Sequence, residues 1–287
     1  MRQTEKTKVS FWIDNLKLQK LQEIYGIESI TEIFNNTADE IITNGINVKQ
    51  KKLIAPITRM GGKSMLADKI VAIMPRHKLF VDVFGGSGSI LLAKPKEISL
   101  KEVINDKYDD IAILFEVIKK RHLELRKLVM SYPCSRRFYN ELKKKEVITD
   151  PVEKAARFFY ISRYSNFGDG RCGWNVSLRK DLQKTVQNIM DEILMLSQRL
   201  KSVVIESSDW AYILNKYQSD ETLFYVDSPY IVKKNDKGIY ELPFTKRDAY
   251  ELQKQIHETK GLFMVSHYEN ALYNKWFNGW NKYQILL

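Results

Sequence analysis

The pattern of apolar and polar positions changes twice along the chain and divides it into three parts. Apolar and polar side chains alternate over residues 7–14, which predicts a β-strand because neighbouring side chains of a strand point to opposite faces. Apolar positions at helical spacing follow, and they predict two helices, the first ended by Gly26 and the second by Asn44-Gly45. Ser29-Ile30-Thr31-Glu32 has the form of a capping box for the second helix. Residues 1–47 are therefore expected to form a small strand-helix-helix unit, joined to the rest by a basic linker over residues 48–53.

From residue 54 onward, strand patterns alternate with helical patterns. Short apolar runs bounded by turn formers predict strands at residues 79–83, 102–105, 202–205, 223–226 and 262–266. Strands that alternate with helices are typical of an α/β fold with a mainly parallel sheet. Residues 109–200 interrupt the alternation, because they are mostly helical by period and rich in Arg, Lys, Tyr and Phe. We expect one α/β domain built from residues 54–108 and 201–287, with residues 109–200 as a helical insert.

The composition narrows the class of partner. The 287 residues include 46 Lys and Arg against 35 Asp and Glu, a net charge of +11. A surplus of this size favours a polyanionic partner, nucleic acid first, although it also serves solubility. Two cysteines are too few for a disulfide framework, so we expect a reducing, cytoplasmic setting. No apolar run approaches the roughly 20 residues that span a bilayer, so no membrane partner is expected.

A glycine-rich loop follows the predicted strand that contains Asp82. Its sequence is Phe84-Gly85-Gly86-Ser87-Gly88-Ser89, and an apolar, helix-like run comes next. Glycines let a ligand approach the backbone closely, and the start of a helix offers free N–H groups. The loop has neither the G-K-[ST] of a phosphate loop nor the G-x-G-x-x-G of a dinucleotide loop. A ligand with a carboxylate, such as S-adenosylmethionine, therefore fits it better than a nucleoside triphosphate.

Three further motifs lie at turns or strand ends. The turn Gly61-Gly62-Lys63 could place an ammonium group beside a ligand carboxylate. Asp106 ends the predicted second strand, where an acid commonly accepts hydrogen bonds from ribose hydroxyls; the alternative is a helix N-cap. Asp227-Ser228-Pro229-Tyr230 follows the strand at residues 223–226. A carboxylate, a rigid backbone and an aromatic ring suit a planar base whose amino group reacts, and the alternative is a plain turn.

In this order the motifs resemble those of the D12 class of DNA adenine-N6 methyltransferases, the Dam-like enzymes. This chain has P-x-x-x-x-G-G-K and F-G-G-S-G-S before the insert and D-S-P-Y after it. That class likewise has its cofactor motifs before a recognition domain and its catalytic D-P-P-Y motif after it. The resemblance covers residues 54 to about 280. It implies a Rossmann-like, S-adenosylmethionine-dependent methyltransferase sheet with a helical target-recognition insert. It also implies S-adenosylmethionine as the cofactor and double-stranded DNA as the substrate, usually at GATC, with no metal.

The resemblance implies roles for individual cofactor-binding residues. Lys63 would contact the methionine carboxylate, the glycine-rich loop would wrap the methionine end, and Asp106 would take the ribose. Asp209 falls where the family often places an acid near the cofactor adenine. The other positions assigned to the cofactor are Arg59, where the family usually has an aromatic residue, and Gly61, Gly62, Asp82 and Asp227.

The resemblance also implies how Asp227-Ser228-Pro229-Tyr230 would act. The Asp227 carboxylate and the Ser228 backbone carbonyl would each accept one hydrogen of the adenine N6 amine. Tyr230 would stack on the flipped base. The family has Pro where this chain has Ser228, but Ser supplies the same carbonyl, and Pro229 keeps it extended. Alternatives are transfer to cytosine N4 or to RNA, and a DNA-binding repressor that carries an inactive methyltransferase fold.

Two segments are candidates for DNA contact. One stretch of the insert resembles the target-recognition segment of Dam-like enzymes, and its candidates are Arg163, Asn166, Phe167, Arg171 and Asn175. Interleaved basic and aromatic side chains of this kind bind phosphate and stack on bases. The alternative is an aromatic helix core with a solvated basic face.

The N-terminal unit, over about residues 6–46, resembles a ribbon-helix-helix DNA-binding domain. In that family the strand pairs with a copy of itself to form a homodimeric ribbon in the major groove. Lys8, Ser10 and Trp12 would then read bases. The alternative is a helical extension packed on the main domain.

Overall fold

The computed structural model of the chain describes residues 8–13, 53–59, 61–144, 147–165, 168, 173–175, 181–230 and 244–286. Within these ranges seven strands form one sheet: β1 (Lys8–Ile13), β2 (Leu79–Asp82), β3 (Lys101–Asn105), β4 (Val203–Glu206), β5 (Thr222–Val226), β6 (Leu262–Tyr268) and β7 (Asn281–Leu286). Their order in space is β4-β3-β2-β5-β6-β1-β7. The first five strands in this order are parallel, and β1 runs antiparallel to both of its neighbours.

Helices cover both faces of the sheet. The central strand β5 is buried along its whole length, as expected for a parallel strand with helices on both sides. Leu223 and Tyr225 belong to the core on one face, while Phe224 and Val226 belong to the core on the other. A Rossmann-like α/β sheet is therefore confirmed.

The described helices fall into two groups. The sheet's own helices are α1 (Ala67–Ala72), α2 (Ser89–Ala93), α8 (Trp210–Tyr217), α9 (Lys246–Glu258) and α10 (Ala271–Trp276). The insert supplies α3 (Asp109–Ser131), α4 (Arg136–Lys144), α5 (Pro151–Tyr164), α6 (Leu182–Asp191) and α7 (Ile193–Leu200). In the described part of the chain, no helix is both long and apolar enough to cross a lipid bilayer.

The first strand, β1, belongs to the same sheet as β2, the strand that precedes the glycine-rich loop. It lies between β6 and β7, with Ser10 opposite His267 and Trp12 opposite Val265 on the β6 side. Ser10 and Trp12 are both buried, and Trp12 packs against the rings of Tyr273 and Phe277. Because strands of this chain occupy both edges of β1, it has no edge left for a copy of itself.

The structure therefore corrects the ribbon prediction for this strand. Ser10 and Trp12 are core positions and not base readers, because neither side chain reaches solvent. Lys8 opposes Leu286 in the backbone register of β1 and β7, so it too sits in the sheet and not in a free ribbon. The two helices predicted after the strand lie outside the described residues.

Candidate active site

The carboxyl ends of β2, β3 and β5 surround one pocket, because the ends of parallel strands meet at the same edge of a sheet. It brings together most of the residues predicted for cofactor and catalysis: Arg59, Gly61, Gly62, Lys63, Asp82, Phe84, Gly85, Gly86, Ser87, Ser89, Asp106, Asp209, Asp227, Ser228, Pro229 and Tyr230. Gly88 does not line the pocket. A Cβ there would lie 2.7 Å from the Phe115 ring, so Gly88 lets α3 approach the loop closely.

Lys63 and Asp227, which both line the pocket, form an ion pair. Lys63 Nζ donates to Asp227 Oδ1 at 2.6 Å and to Oδ2 at 2.7 Å, and also to the Gly61 carbonyl at 2.8 Å. The two side chains are 5% and 18% exposed, so water screens the pair only weakly. The pair joins the Gly-Gly-Lys turn to the end of β5.

Asp227 has a second set of contacts on the side of β6. Ser266 Oγ donates to Asp227 Oδ1 at 2.7 Å, and the Tyr225 hydroxyl lies 3.0 Å from Ser266 Oγ. Ser266 and Tyr225 are both buried. Sequence reasoning missed both residues, although a serine directly after the apolar run Leu262–Val265 was a visible signal.

Asp82 lies at the end of β2 and lines the pocket. Burial raises the pKa of Asp82 well above its ordinary value, and the nearby carboxylates of Asp227 and Asp106 raise it further. Among the described residues, Asp82 Oδ1 has no hydrogen-bond partner. A buried carboxyl group with an unused oxygen at the pocket wall suits a cationic ligand group, since such an oxygen is costly to leave unsatisfied.

The glycine-rich loop is held in place by the end of β3. The N–H of Gly85 donates to the Asn105 carbonyl at 2.7 Å, and a Cβ at Gly85 would lie 2.4 Å from the Ile104 side chain. Gly86 has a φ of +50°, and its N–H donates to Asp106 Oδ2 at 2.9 Å. Asp106 Oδ1 accepts from the Tyr108 N–H at 2.9 Å. Asp106 thus orders both the loop and the turn into α3.

Asp209 lies at the start of α8, at the pocket rim. Its carboxylate accepts from the Ala211 N–H at 3.0 Å and from Lys107 Nζ at 2.7 Å. Burial alone would raise the pKa of Asp209, but the hydrogen bonds from Lys107 and Ala211 hold it below its ordinary value. The Arg59 guanidinium, which also lines the pocket, lies over the Tyr108 ring, 5.5 Å from its centre.

Aromatic rings support Tyr230. Its ring stacks on Tyr268 with 4.8 Å between centres and meets the His267 ring edge-on at 5.4 Å. Gly61 has a φ of +76°, and a Cβ there would lie 3.1 Å from the Tyr230 ring. The Gly-Gly turn therefore packs directly against the ring that the sequence assigns to base stacking.

The recognition segment is only partly described. Asn166, Phe167 and Arg171 lie outside the described residues. The Asn175 N–H donates to the Tyr164 carbonyl at 2.7 Å, and Trp174 stacks on Tyr164 with 4.9 Å between ring centres. Trp174 and Asn175 thus contact the end of α5.

Arg163 has a different role from the predicted one. Its Nε donates to the Pro56 carbonyl at 2.8 Å, its Nη1 donates to Thr58 Oγ1 at 3.0 Å, and its Nη2 donates to the Ala55 carbonyl. Burial lowers the pKa of Arg163 to about 10. All three guanidinium nitrogens therefore bind the chain segment that leads to Lys63, so the structure gives Arg163 a role in holding this segment where the sequence suggested a DNA contact.

Two neighbours of Arg163 strengthen this attachment. Ser162 Oγ donates to the Thr58 carbonyl at 3.0 Å. At Gly168 a Cβ would lie 1.9 Å from the same carbonyl, so only glycine fits there. The end of α5 is in this way tied to residues 55–59, directly before the Gly-Gly-Lys turn.

Comparisons with known proteins agree with this site. A family model described as D12 class N6 adenine-specific DNA methyltransferase matches residues 60–286. DNA adenine methylases of Salmonella typhi, Salmonella typhimurium strain LT2 and Escherichia coli strain K12 are each 28% identical over 131 residues. Those matches cover 44% of this chain and 45% of each relative, so the chain spans less than half the length of the curated relatives it matches. Since the family model covers most of the chain, the protein belongs to the D12 class of N6 adenine-specific DNA methyltransferases.

Proposed function

We propose that the protein transfers a methyl group from S-adenosylmethionine to the N6 amine of a flipped adenine in double-stranded DNA. The observation that carries this proposal is the position of Asp227. Its carboxylate lies in the same pocket as Lys63 and the glycine-rich loop. A base amine at Asp227 and a methyl donor at the loop would therefore meet in one cavity, which is what a direct transfer needs.

The donor set of the pocket fits S-adenosylmethionine. The unused oxygen of Asp82 suits the methionine ammonium group, and the Lys63 ammonium group suits the methionine carboxylate. Asp106 and Asp209 are carboxylates, which offer about four acceptor sites each, so each can accept from a ribose hydroxyl or the adenine amine. The bound cofactor supplies an electrophilic methyl group on a sulfonium.

Lys63 has two anionic partners in this scheme. It bonds both oxygens of Asp227, and an ammonium group can donate three hydrogen bonds. With the methionine carboxylate bound at the Gly-Gly-Lys turn, Lys63 would donate its hydrogen bonds to that group and release Asp227. The Asp227 carboxylate then becomes an acceptor for the target base.

The reacting amine is held by two acceptors. Asp227 and the Ser228 carbonyl each accept one N6 hydrogen, which frees the nitrogen lone pair from the ring. The nitrogen would form a bond to the methyl carbon while the carbon–sulfur bond breaks and leaves its electron pair on sulfur. The surplus N6 proton would pass to the Asp227 carboxylate. The Ser228 hydroxyl shares a 3.2 Å hydrogen bond with the Tyr273 hydroxyl, so its side chain is already occupied. Tyr230 stacks on the base.

The recognition segment is the proposed DNA-reading element. Asn166, Phe167, Arg171 and Asn175 follow α5, whose end is tied to Thr58 in the segment before the turn that carries Lys63. Basic and aromatic side chains in such a position can hold phosphates and fill the gap that a flipped base leaves. Target sequence would then be read close to the catalytic pocket.

Sequencing that detects modified bases, on DNA from cells that express the protein, tests the proposal. We expect N6-methyladenine at one short sequence. Methylation of cytosine at N4, or methylated RNA together with unmethylated DNA, would show that the substrate is not the proposed adenine. Calorimetric titration with S-adenosylmethionine complements it, because an inactive fold without cofactor binding should give no heat.

A further inference from the structure

We infer that Ser266, supported by Tyr225, is a positioning residue that fixes Oδ1 of Asp227 and leaves Oδ2 for the amine of the target base. The inference rests on the proposed methyl transfer. It goes beyond it by assigning different tasks to the two oxygens of one carboxylate. Neither Ser266 nor Tyr225 touches the reacting atoms in this assignment.

The strand register places these residues together. Tyr225 lies opposite Met264 and Val226 opposite Val265, so the next pair in register is Asp227 and Ser266. Alternate residues of a strand share one face. Tyr225 and Asp227 therefore lie on the same face of the sheet as Ser266, and the three side chains form a row.

The direction of the hydrogen bonds follows from their chemistry. An ionised carboxylate only accepts, so the single Ser266 hydroxyl hydrogen goes to Asp227 Oδ1. Ser266 Oγ then accepts from the Tyr225 hydroxyl at 3.0 Å. Tyr225 keeps its proton, because burial and the nearby charge of Asp227 raise its pKa well above the ordinary value. Tyr225 thus donates to Ser266, and Ser266 donates to the Asp227 carboxylate.

The two oxygens of Asp227 differ once Lys63 is taken into account. Oδ1 accepts from both Lys63 and Ser266, whereas Oδ2 accepts from Lys63. When Lys63 turns to another carboxylate, Oδ1 keeps its bond to Ser266 and the plane of the carboxylate stays fixed. Oδ2 is then the oxygen that lacks a partner among the described residues.

Substitutions of Ser266 test this assignment. In Ser266→Ala we expect kcat for methyl transfer to fall by about 10- to 100-fold, because a misplaced acceptor costs that much. The KM values, the calorimetric affinity for S-adenosylmethionine and the melting temperature should stay close to the parent. Ser266→Thr keeps the hydroxyl and should recover most of the rate. Tyr225→Phe should lower kcat by a smaller factor.

A binding measurement supplies a readout that needs no turnover. Duplexes carrying adenine or unsubstituted purine at the target position are compared in the presence of S-adenosylhomocysteine. Purine lacks the amine, so the parent should prefer adenine, and Ser266→Ala should lose most of that preference. Ser197→Ala is the matched control, since Ser197 is a buried serine that donates to the Lys119 carbonyl at 3.0 Å, away from the pocket.

The outcomes separate the two proposals. An active parent with an equally active Ser266→Ala variant, or an unchanged preference for adenine in that variant, would overturn the inference and leave the methyl transfer intact. A parent that methylates no DNA would overturn the methyl transfer and this inference with it. A selective loss of kcat in Ser266→Ala, recovered in Ser266→Thr, supports both.

Discussion

Lys63 Nζ lies 2.6 Å from one carboxylate oxygen of Asp227 and 2.7 Å from the other. The contact joins the turn that ends the family's first motif to the strand end that carries its last motif. Because both side chains are largely shielded from water, removal of one leaves the charge of the other poorly compensated. In the proposed reaction one lysine therefore serves two carboxylates in turn, that of Asp227 and that of the cofactor.

Replacement of Lys63 should weaken cofactor binding. A hydrogen bond to a charged group contributes about 1.5–3 kcal/mol, so we expect Lys63→Met to lower the affinity for S-adenosylmethionine about 10- to 100-fold. Isothermal titration calorimetry measures the change. Lys78→Met is the control, because Lys78 forms an exposed ion pair with Glu221 at the opposite end of β2. Equal affinities in the two variants would exclude the assigned role.

Asp82 should make the stability of the protein depend on pH. The pKa of Asp82 is raised in the folded chain, so above about pH 4 the folded state keeps a proton that the unfolded chain has released. The free energy of unfolding therefore falls as pH rises towards the raised pKa. Asp82→Asn removes this loss of stability. Without cofactor, the variant should therefore have a higher melting temperature than the parent at about pH 8.

Melting curves measured between about pH 4 and pH 8 test this prediction. The difference between variant and parent should grow with pH. Asp82→Asn should also lower the affinity for S-adenosylmethionine, because Asn cannot pair with an ammonium group as a carboxylate does. A constant difference across the pH range would show that Asp82 is not a protonated buried acid.

The position of β1 predicts a large effect of Trp12 on stability. Trp12 is 1% exposed and lies in the core, and removal of a buried Trp side chain costs about 3–5 kcal/mol. Chemical denaturation of Trp12→Ala should show a loss of this size. Tyr250→Ala is the control, because Tyr250 is 55% exposed and its loss should change stability by about 0.5 kcal/mol or less. If Trp12→Ala instead kept its stability and lost DNA affinity, β1 would be a DNA-reading strand after all.

Arg163 and Arg171 should differ in the salt dependence of DNA binding. Each phosphate contact adds about 0.9 to the slope of log affinity against log salt. Arg163→Gln should leave the slope unchanged, because the Arg163 guanidinium binds the segment before Lys63, but it should weaken cofactor binding. Arg171→Gln should lower the slope by about 0.9 if Arg171 contacts a phosphate. A lower slope for Arg163→Gln would restore Arg163 as a DNA contact.

The sequence predicted the pocket well because its motifs are local. Asp227 follows a continuous apolar run, and Asp106 and the glycine-rich loop follow two others. Since parallel strands end at one edge, strand ends in the sequence already give the neighbours in space. The motif order then identified the family that the comparisons show.

The errors concern contacts between distant segments. Alternation over residues 7–14 predicted a strand correctly, but a half-exposed face was assumed, and β1 is covered on both faces and paired on both edges. A basic side chain beside aromatic ones suggested DNA contact for Arg163, yet its acceptors lie more than 100 residues away in the chain. Ser266 meets Asp227 only through the register of β5 and β6, which no local pattern contains.

Transfer of labelled methyl groups from S-adenosylmethionine to DNA, compared between the parent and Asp227→Ala, tests the central claim most directly. Asp191→Ala is the control, because Asp191 is 62% exposed and pairs with Arg126 on the insert. We expect the parent and the control to label adenine at N6, and Asp227→Ala to be slower by at least about 100-fold. Undiminished labelling by Asp227→Ala, or label from the parent on a base other than adenine, would contradict the account.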